Sequence, residues 1–372
     1  MNAAAPVRGS DSDRPGPKRR APRRRRRLRS FLLFLTLLVA LFLLLLAWAR
    51  VNATRPTYHQ AADRIIAIDS RSGVAGAIDR LSEAGIVRQP MALKIYLRIT
   101  GQPRLKAGDY KFASPISALQ AIAKIQRGEV FLERVTIPEG FNRFEIAETL
   151  AAKTGKATKE EFLQLMDDVS LIRAFAPGAK NLEGYLFPDT YNFNSRTTPE
   201  DLVRAMVNRF DEVFTSVWAG RAGKLGLTAN QGVTLASMIE KEAKAPDDRP
   251  LISSVFFNRM NLQMPLASDP TFIYAAILAH DYDGDPNQPR HRHRLSPYNT
   301  YINAGLPPGP IASPGRSSLE AALHPASTDY LYFVVSGTNG KHKFSRTAAE
   351  HDIAVQDYHR QQRELRQQSG SG

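Results

Sequence analysis

Apolar residues follow a different rhythm in each stretch of this chain, and the rhythm predicts the elements. Phe31–Ala49 runs nineteen residues without a charge. At about 1.5 Å per residue it spans roughly 28 Å, the thickness of a bilayer core. Val51–Gln60 is polar and short and reads as a tether. Ile65–Ile68 then reads as a strand, and Gly73–Ala84 as a helix with Val74, Ile78 and Leu81 on one side and a glycine stop at Gly85. Pro90–Ile99 opens on proline as a second helix, and Asp109–Phe112 returns as a strand after the Ala107-Gly108 turn. Strand, helix, helix, strand in so short a stretch predicts a small α+β module. Ser114-Pro115 opens a further helix through Gln126, closed by Gly128, and Val130–Ile137 alternates as a strand. Asn142 caps a helix to Lys153, and Thr158 with Glu161 caps the next. Phe131–Gly155 thus looks like a partial second copy of the same unit.

Near Pro177 the composition changes, and aromatic, glycine and proline residues crowd into loops, as in a site built on a scaffold. Asn181–Phe193 is too broken by Gly184 and Pro188 for a regular element, and holds Glu183, Tyr185, Phe187, Asp189 and Tyr191. Thr198-Pro199 starts a long amphipathic helix (Leu202, Met206, Phe210, Val213, Val217) ending by Gly220. Arg249–Leu262 reads as a helix, and Asp269-Pro270 caps another through Leu278. His280–Arg294 is a polar insertion, read as a solvated loop. Its Asp281, Asp283 and Asp285 resemble a calcium loop with the glycine misplaced and Arg292 where a Glu is needed. His291 and His293 lack a third ligand of suitable spacing, so neither metal nor cofactor is expected. Ser296–Tyr301 and Gly305–Gly315 read as rigid loops and Ser317–Leu323 as a short helix. A hairpin of Tyr330–Val335 and His342–Ser345 turns at Asn339-Gly340, and Thr347 with Glu350 caps a last helix.

The stretch richest in chemistry is Leu227–Ala243. Thr228 and Gln231 have capping-box spacing, and Pro246 with Asp247 and Asp248 ends the helix. At roughly 100° per residue Leu235, Met238 and Ile239 form an apolar stripe with Glu242 in its middle. Glu240 lies about 200° away, and Thr234, Ser237, Lys241 and Lys244 take the wet side. A carboxyl on an apolar stripe is costly to ionise, so its pKa rises, which suits a general acid. The plainer reading is a helix end dipping its Glu into solvent, or a Glu buried against an Arg.

The formal net charge is +14, but Met1–Ser30 alone carries +9, leaving +5 for the other 342 residues. A run such as KRRAPRRRRRLR could bind nucleic acid, but its place in front of the apolar stretch fixes a cytoplasmic tail and puts everything after Arg50 outside. No nucleic-acid partner is expected. Ala47-Trp48-Ala49 has the look of a cleavage box, yet an apolar region of nineteen residues exceeds the usual ~7–15 of a signal peptide and favours an anchor. Cysteine is absent, which excludes disulfides and thiolate metal sites.

Read together, LEGYLFPDTY, LASMIEKEA, SVFFNRM, ASDPTFIYA, SPYNTYINAGLPPGPIASPG, SLEAALHP, DYLYFV and HKFSRTAAEH resemble, in order, the MltG-type (YceG-like) endolytic murein transglycosylases. The resemblance runs from about Ile65 to Tyr358, densest from Leu182, and KAGDYKF resembles the family's KAGTYRF turn. It implies cleavage of the MurNAc-β-1,4-GlcNAc bond within nascent peptidoglycan, leaving 1,6-anhydro-MurNAc ends and limiting strand length. It places the catalytic acid at Glu242, the second Glu of EKE, with Glu240 as substitute. Glu183 and Asp269 are implied as sugar contacts or orienters, and Asp269 reads equally as the N-cap of its helix. Tyr298, Asn299, Tyr301 and Tyr185 are candidates for gripping the glycan, SPYNTY reading otherwise as a structural loop; Arg259 would neutralise a carboxylate or touch the peptide stem.

The expected architecture is α+β: a basic tail (1–30), one transmembrane helix (31–49), a linker (50–62), a LysM-like glycan-binding region (63–176) and a mixed α/β catalytic domain (177–372) with a C-terminal hairpin and helix. The LysM-like likeness is topological, and an ordinary spacer fits the pattern as well. The expected location is the bacterial inner membrane, single-pass, with the catalytic domain outside. Glycan strands and the membrane are the partners, and a peptidoglycan synthase an optional one. Two rival readings stand: a two-carboxylate muramidase, and a non-catalytic wall-binding scaffold for a synthase.

Overall fold

The computed structural model describes residues 23–174, 176–218, 225–285, 288–336 and 340–369, so most of the basic tail, Gly220 and Asn339 of the expected hairpin turn lie outside the described residues. Contacts divide the chain into two compact units, Met1–Phe131 and Leu132–Gly372.

The first unit begins with α1, Arg23–Thr54, one continuous helix long and apolar enough over Arg27–Thr54 to cross a membrane. It does not give way to a tether at Val51. Its last turns bury Ala49 and Ala53 against two helices of the module, α3 (Pro90–Thr100) and α4 (Ala118–Arg127). The small side chains permit that close approach, and Thr57 pairs both ways with Ile116 directly afterwards. Strand β1 (Ile66–Ile68), helix α2 (Gly73–Glu83), α3 and strand β2 (Gly108–Tyr110) follow in the expected order, β1 and β2 pairing antiparallel. Ile68, Ile78, Leu81, Leu93, Tyr110, Phe112 and Ile122 fill their core. Helix α4 opens at Ser117 rather than Ser114-Pro115, because Ser117 and Gln120 form a reciprocal capping box; it closes on Gly128 in the left-handed region, φ 74°.

The second unit is a helical body carrying two antiparallel ribbons. Strand β3 is shorter than expected (Glu133–Thr136) and pairs with β4 (Thr190–Phe193), which sits inside the stretch read as irregular. Helices α5 (Arg143–Thr154) and α6 (Lys159–Leu165) follow β3 with the capping boxes expected of Asn142 and Thr158. The apparent second copy therefore belongs to this unit's core, and the division falls at Phe131/Leu132 instead of near Pro177. The long α7 (Pro199–Trp218) lays Leu202, Met206, Phe210, Val213 and Val217 on that core. Trp218 closes over α8 (Ala229–Glu242) at Gly232, where a Cβ would stand 2.4 Å from the indole. Then come α9 (Arg249–Asn261), α10 (Asp269–Leu278), the single turn α11 (Pro289–Arg292), α12 (Arg316–Leu323), the ribbon β5 (Tyr332–Val335) and β6 (His342–Ser345), and α13 (Ala348–Ser369).

Helix α8 is central, packed by α12, α9 and α10. That corrects its expected wet side. Thr234 and Ser237 are buried; the Thr234 hydroxyl bonds the Asn230 carbonyl, and Ser237 donates to Thr234 O while accepting the Ile311 N–H at 3.1 Å. Only Lys241 and Lys244 reach solvent. Among the described residues the second unit has no larger sheet, so its core is mainly helix on helix.

Candidate active site

Thr228 and Gln231 cap α8 reciprocally, fixing where the helix starts and hence which residue ends it. That residue is Glu242. Part of its surface stays open, while the carboxyl is enclosed enough for burial to push its pKa from 4.5 up to about 7. The negative Asp269 pushes the same way, against a hydrogen bond from Ser268 and the positive Arg259. Ser268 holds the N-cap position of α10, but its hydroxyl caps nothing and instead donates to Glu242 Oε1 at 2.6 Å. Ser268 is itself clamped. Its N–H donates to Thr300 Oγ1 (3.0 Å), its carbonyl accepts from Thr271 Oγ1 (2.6 Å), and the two threonine hydroxyls bond each other at 2.9 Å. All three are at most 1% exposed, so the hydroxyl facing Glu242 is rigidly aimed.

Asp269 is the first residue of α10, which removes it as the N-cap. Its carboxylate accepts from the Tyr301 hydroxyl and lies 3.5 Å from Arg292, whose guanidinium stacks on the Tyr301 ring. Arg259 spends its donors on the carbonyls of Leu331 (2.7 Å), Leu266 (2.8 Å) and Pro265 (3.2 Å), so it ties the loop before α10 to the approach of β5. Burial lowers its pKa, offset by Tyr332, Tyr301 and Glu242. Glu242, Ser268, Asp269, Tyr301 and Arg259 therefore form one electrostatic cluster.

The other candidates lie elsewhere. Glu240 points off the opposite side of α8, accepts the Gly315 N–H at 3.0 Å and stands 3.6 Å from Arg249. Glu183 is 3% exposed and locked. The Arg143 N–H lies 3.1 Å from both its oxygens and the Tyr274 hydroxyl donates at 2.8 Å. Burial pushes Glu183 to about 7 as well, against those bonds. Its role is local: Asn142 takes the next two N–H groups of α5, and Glu183 takes the first. Tyr298 packs edge-on against Tyr274 in this second cluster. Asn299 is fully buried, its amide donating to the Arg292 and Arg294 carbonyls and accepting the Tyr301 N–H. Tyr185 is buried with its hydroxyl on Asn230 (2.7 Å). Neither presents a face to a sugar. Of the glycan candidates, only Tyr301 stands beside Glu242.

The insertion is more folded than a solvated loop. His291 is fully buried against Tyr282, and Asp281 and Asp283 pair with Arg294 and Arg290 rather than facing one centre. Among the described residues no group of three His, Asp or Glu side chains could hold a metal. Two cavities of about 800 and 850 Å3 flank Arg249 with Arg316, and Thr228 with Leu306; Glu242 lines neither.

The sequence match decides the kinship. Residues 66–357 fit the YceG-like family. The chain belongs to the YceG-like family. A relative in Bacillus subtilis, named an endolytic murein transglycosylase, is 35% identical over 315 residues, covering 79% of this chain and 84% of that protein. A longer Streptococcus pneumoniae protein of the same name is 33% identical, over 79% of this chain and 58% of its own length. The crystal structure of a YceG-like protein from Listeria monocytogenes superposes with TM-score 0.54 at 33% identity, covering 78% of this chain and 98% of that one. Glu242, Ser268, Asp269, Arg259 and Tyr301 all fall inside the stretch that fits the YceG-like family. Ser268 is the residue sequence reasoning missed: a serine before Asp-Pro reads as a cap, and nothing in the spacing shows its hydroxyl turned away.

Proposed function

We propose that this chain is a membrane-anchored lytic transglycosylase that cuts the MurNAc-β-1,4-GlcNAc bond inside nascent peptidoglycan strands, with Glu242 as its only acid and base. The carrying observation is the carboxyl at the end of α8, poised near neutrality and, among the described residues, hydrogen-bonded at one oxygen only. Ser268 occupies Oε1, which leaves Oε2 to carry the proton toward substrate. Protonated Glu242 gives that proton to the leaving glycosidic oxygen as the bond to the anomeric carbon breaks. The 6-hydroxyl of the same muramic acid attacks that carbon, and the carboxylate takes its proton. No water is consumed and the acid is regenerated. The product ends are 1,6-anhydro, and internal cuts limit strand length.

The names of the relatives support this reading, as does α1, which suits a single-pass anchor in the inner membrane with the rest of the chain outside. The strand-helix-helix-strand module of the first unit would serve as a LysM-like grip on the glycan, and Tyr301 would stack on a sugar beside the acid. A hydrolytic reading draws on Asp269, a second carboxylate whose charge reaches Glu242. Two-carboxylate glycosidases add water across the bond. Digesting uncrosslinked glycan with the purified ectodomain in 18O-water and weighing the products separates the two. Unlabelled anhydro ends are expected; labelled reducing ends would reassign the chain to hydrolysis, and uncut glycan would favour the scaffold reading.

A further inference from the structure

We propose that the cavity at the foot of the anchor helix binds the phosphate headgroup of an anionic membrane lipid; this rests on α1 spanning the membrane. The cavity holds about 410 Å3 and is lined by Asn52, Arg55, Thr57, Tyr58, Arg88 and Gln89, among others. That volume falls in the range of small-ligand pockets, about 300–1,000 Å3.

Its height above the bilayer is set by covalent geometry. Asn52 and Arg55 come three and six residues after Ala49, the last residue of the uncharged stretch. On a continuous helix that puts them about 4.5 and 9 Å beyond the hydrocarbon core, against a headgroup layer of about 5–8 Å per leaflet. The height is also rigid. Ala49 and Ala53 are buried against α3 and α4, and the Thr57–Ile116 pair pins the next segment to the module. Trp48 and Tyr58, both exposed, supply the amphipathic rings typical of that depth.

The charge in the cavity is unspent. No hydrogen bond or ion pair among the described residues engages the Arg55 side chain, and Arg88 uses one N–H on the Tyr58 carbonyl at 3.2 Å. Among the described residues no carboxylate lines the cavity. The module's ion pairs, Arg80–Glu83, Lys94–Asp79 and Arg127–Glu129, join residues that do not line it. Membrane orientation offers no reason for these arginines, since the cations that set it precede the span and belong to the other face. Two guanidinium groups lining one cavity at the outer edge of the headgroup layer match a phosphate diester. The Gln89 amide and the second amide hydrogen of Asn52, whose first goes to Trp48 O at 2.8 Å, complete its hydrogen bonds, while the Thr57 hydroxyl is engaged on Ile86 O at 3.3 Å. Occupied, the site would hold the module down on the membrane surface.

The test reconstitutes the full chain into nanodiscs of phosphatidylcholine alone or with phosphatidylglycerol and follows amide hydrogen exchange. Failure to enter either disc would sink the anchor reading itself, and the proposal with it. Once inserted, residues 55–59 and 86–90 are expected to exchange severalfold more slowly with phosphatidylglycerol, an effect lost in the double variant Arg55→Gln/Arg88→Gln. Arg50→Gln, which changes a charge outside the cavity, is expected to keep it. Equal exchange in both discs would overturn the proposal. So would equal loss in Arg50→Gln, which would mean diffuse surface attraction, or the same protection from inorganic phosphate in phosphatidylcholine discs, which would mean a free anion.

Discussion

Two glutamates of the second unit have the same raised pKa and opposite circumstances. Glu183 and Glu242 are both pushed from 4.5 to about 7, in each case chiefly by burial. Glu183 is closed in by the N-terminus of α5 and by Tyr274, with both oxygens engaged. Among the described residues Glu242 has one hydrogen-bond partner, on one oxygen, and it keeps part of its surface open. A perturbed pKa therefore marks burial, and a carboxyl oxygen without a partner among the described residues marks an acid able to work. Glu183 locks α5 to α10, and Glu242 is the group we propose as the acid.

The largest effect that separates them concerns Glu242→Gln. We expect strand cleavage to fall by about 10³-fold, within the usual contribution of general acid-base catalysis, with the thermal midpoint no lower than wild type. Calorimetry beside the glycan assay checks both. Glu183→Ala is next, and its loss is in folding. It strands the part-buried Arg143 N–H and the buried Tyr274 hydroxyl, at a cost on the order of 3 kcal/mol read by urea denaturation.

Linkage gives the same pair a pH signature. A carboxyl whose folded pKa stands near 7 holds its proton more tightly folded than unfolded, so its stabilisation is full below about pH 4.5 and is lost as pH rises through 7. The shift at enclosed Glu183 corresponds to roughly 3 kcal/mol. Glu183→Gln should flatten the decline in stability between pH 5 and 8, and an unchanged slope would contradict the lock.

Smaller still is Ser268→Ala. Loss of a hydrogen bond to a charged group, about 1.5–3 kcal/mol, should slow turnover roughly ten- to hundredfold. Because that bond favours ionised Glu242, its removal should also move the alkaline limb of the pH–rate profile upward. Ser268→Thr, which keeps a hydroxyl, should restore both. A slowed variant with an unmoved limb would make Ser268 merely structural. Smallest is Glu240→Gln, expected to keep most activity because Glu240 serves Gly315 and Arg249 on the far side of α8.

Much of this was legible in the residues because the deciding forces were local. The caps at Asn142, Thr158 and Thr228, the stripe of α7 and the apolar run of α1 each write their element within a few positions. Helical phase alone separated Glu242 from Glu240, and the two carboxyls do meet different partners. Long-range pairing was the part sequence did not reveal. Strand β4 finds its partner β3 more than fifty residues upstream, so Thr190–Phe193 looked like broken loop. Thr234 and Ser237 looked wet because their hydroxyls satisfy themselves on the helix backbone and on Ile311, which lets a polar face be covered by α12. Asn299 and Tyr185 looked like ligand contacts because a polar tip in a loop gives no sign that its partner is internal.

The most direct trial is to measure kcat/KM on uncrosslinked glycan for Glu242→Gln and Glu183→Gln side by side, at a temperature where both are folded. We expect the first to lose about three orders of magnitude, in keeping with a missing general acid, and the second to stay near wild type. Comparable losses in both, or the heavier loss in Glu183→Gln, would contradict the assignment of the acid to the end of α8.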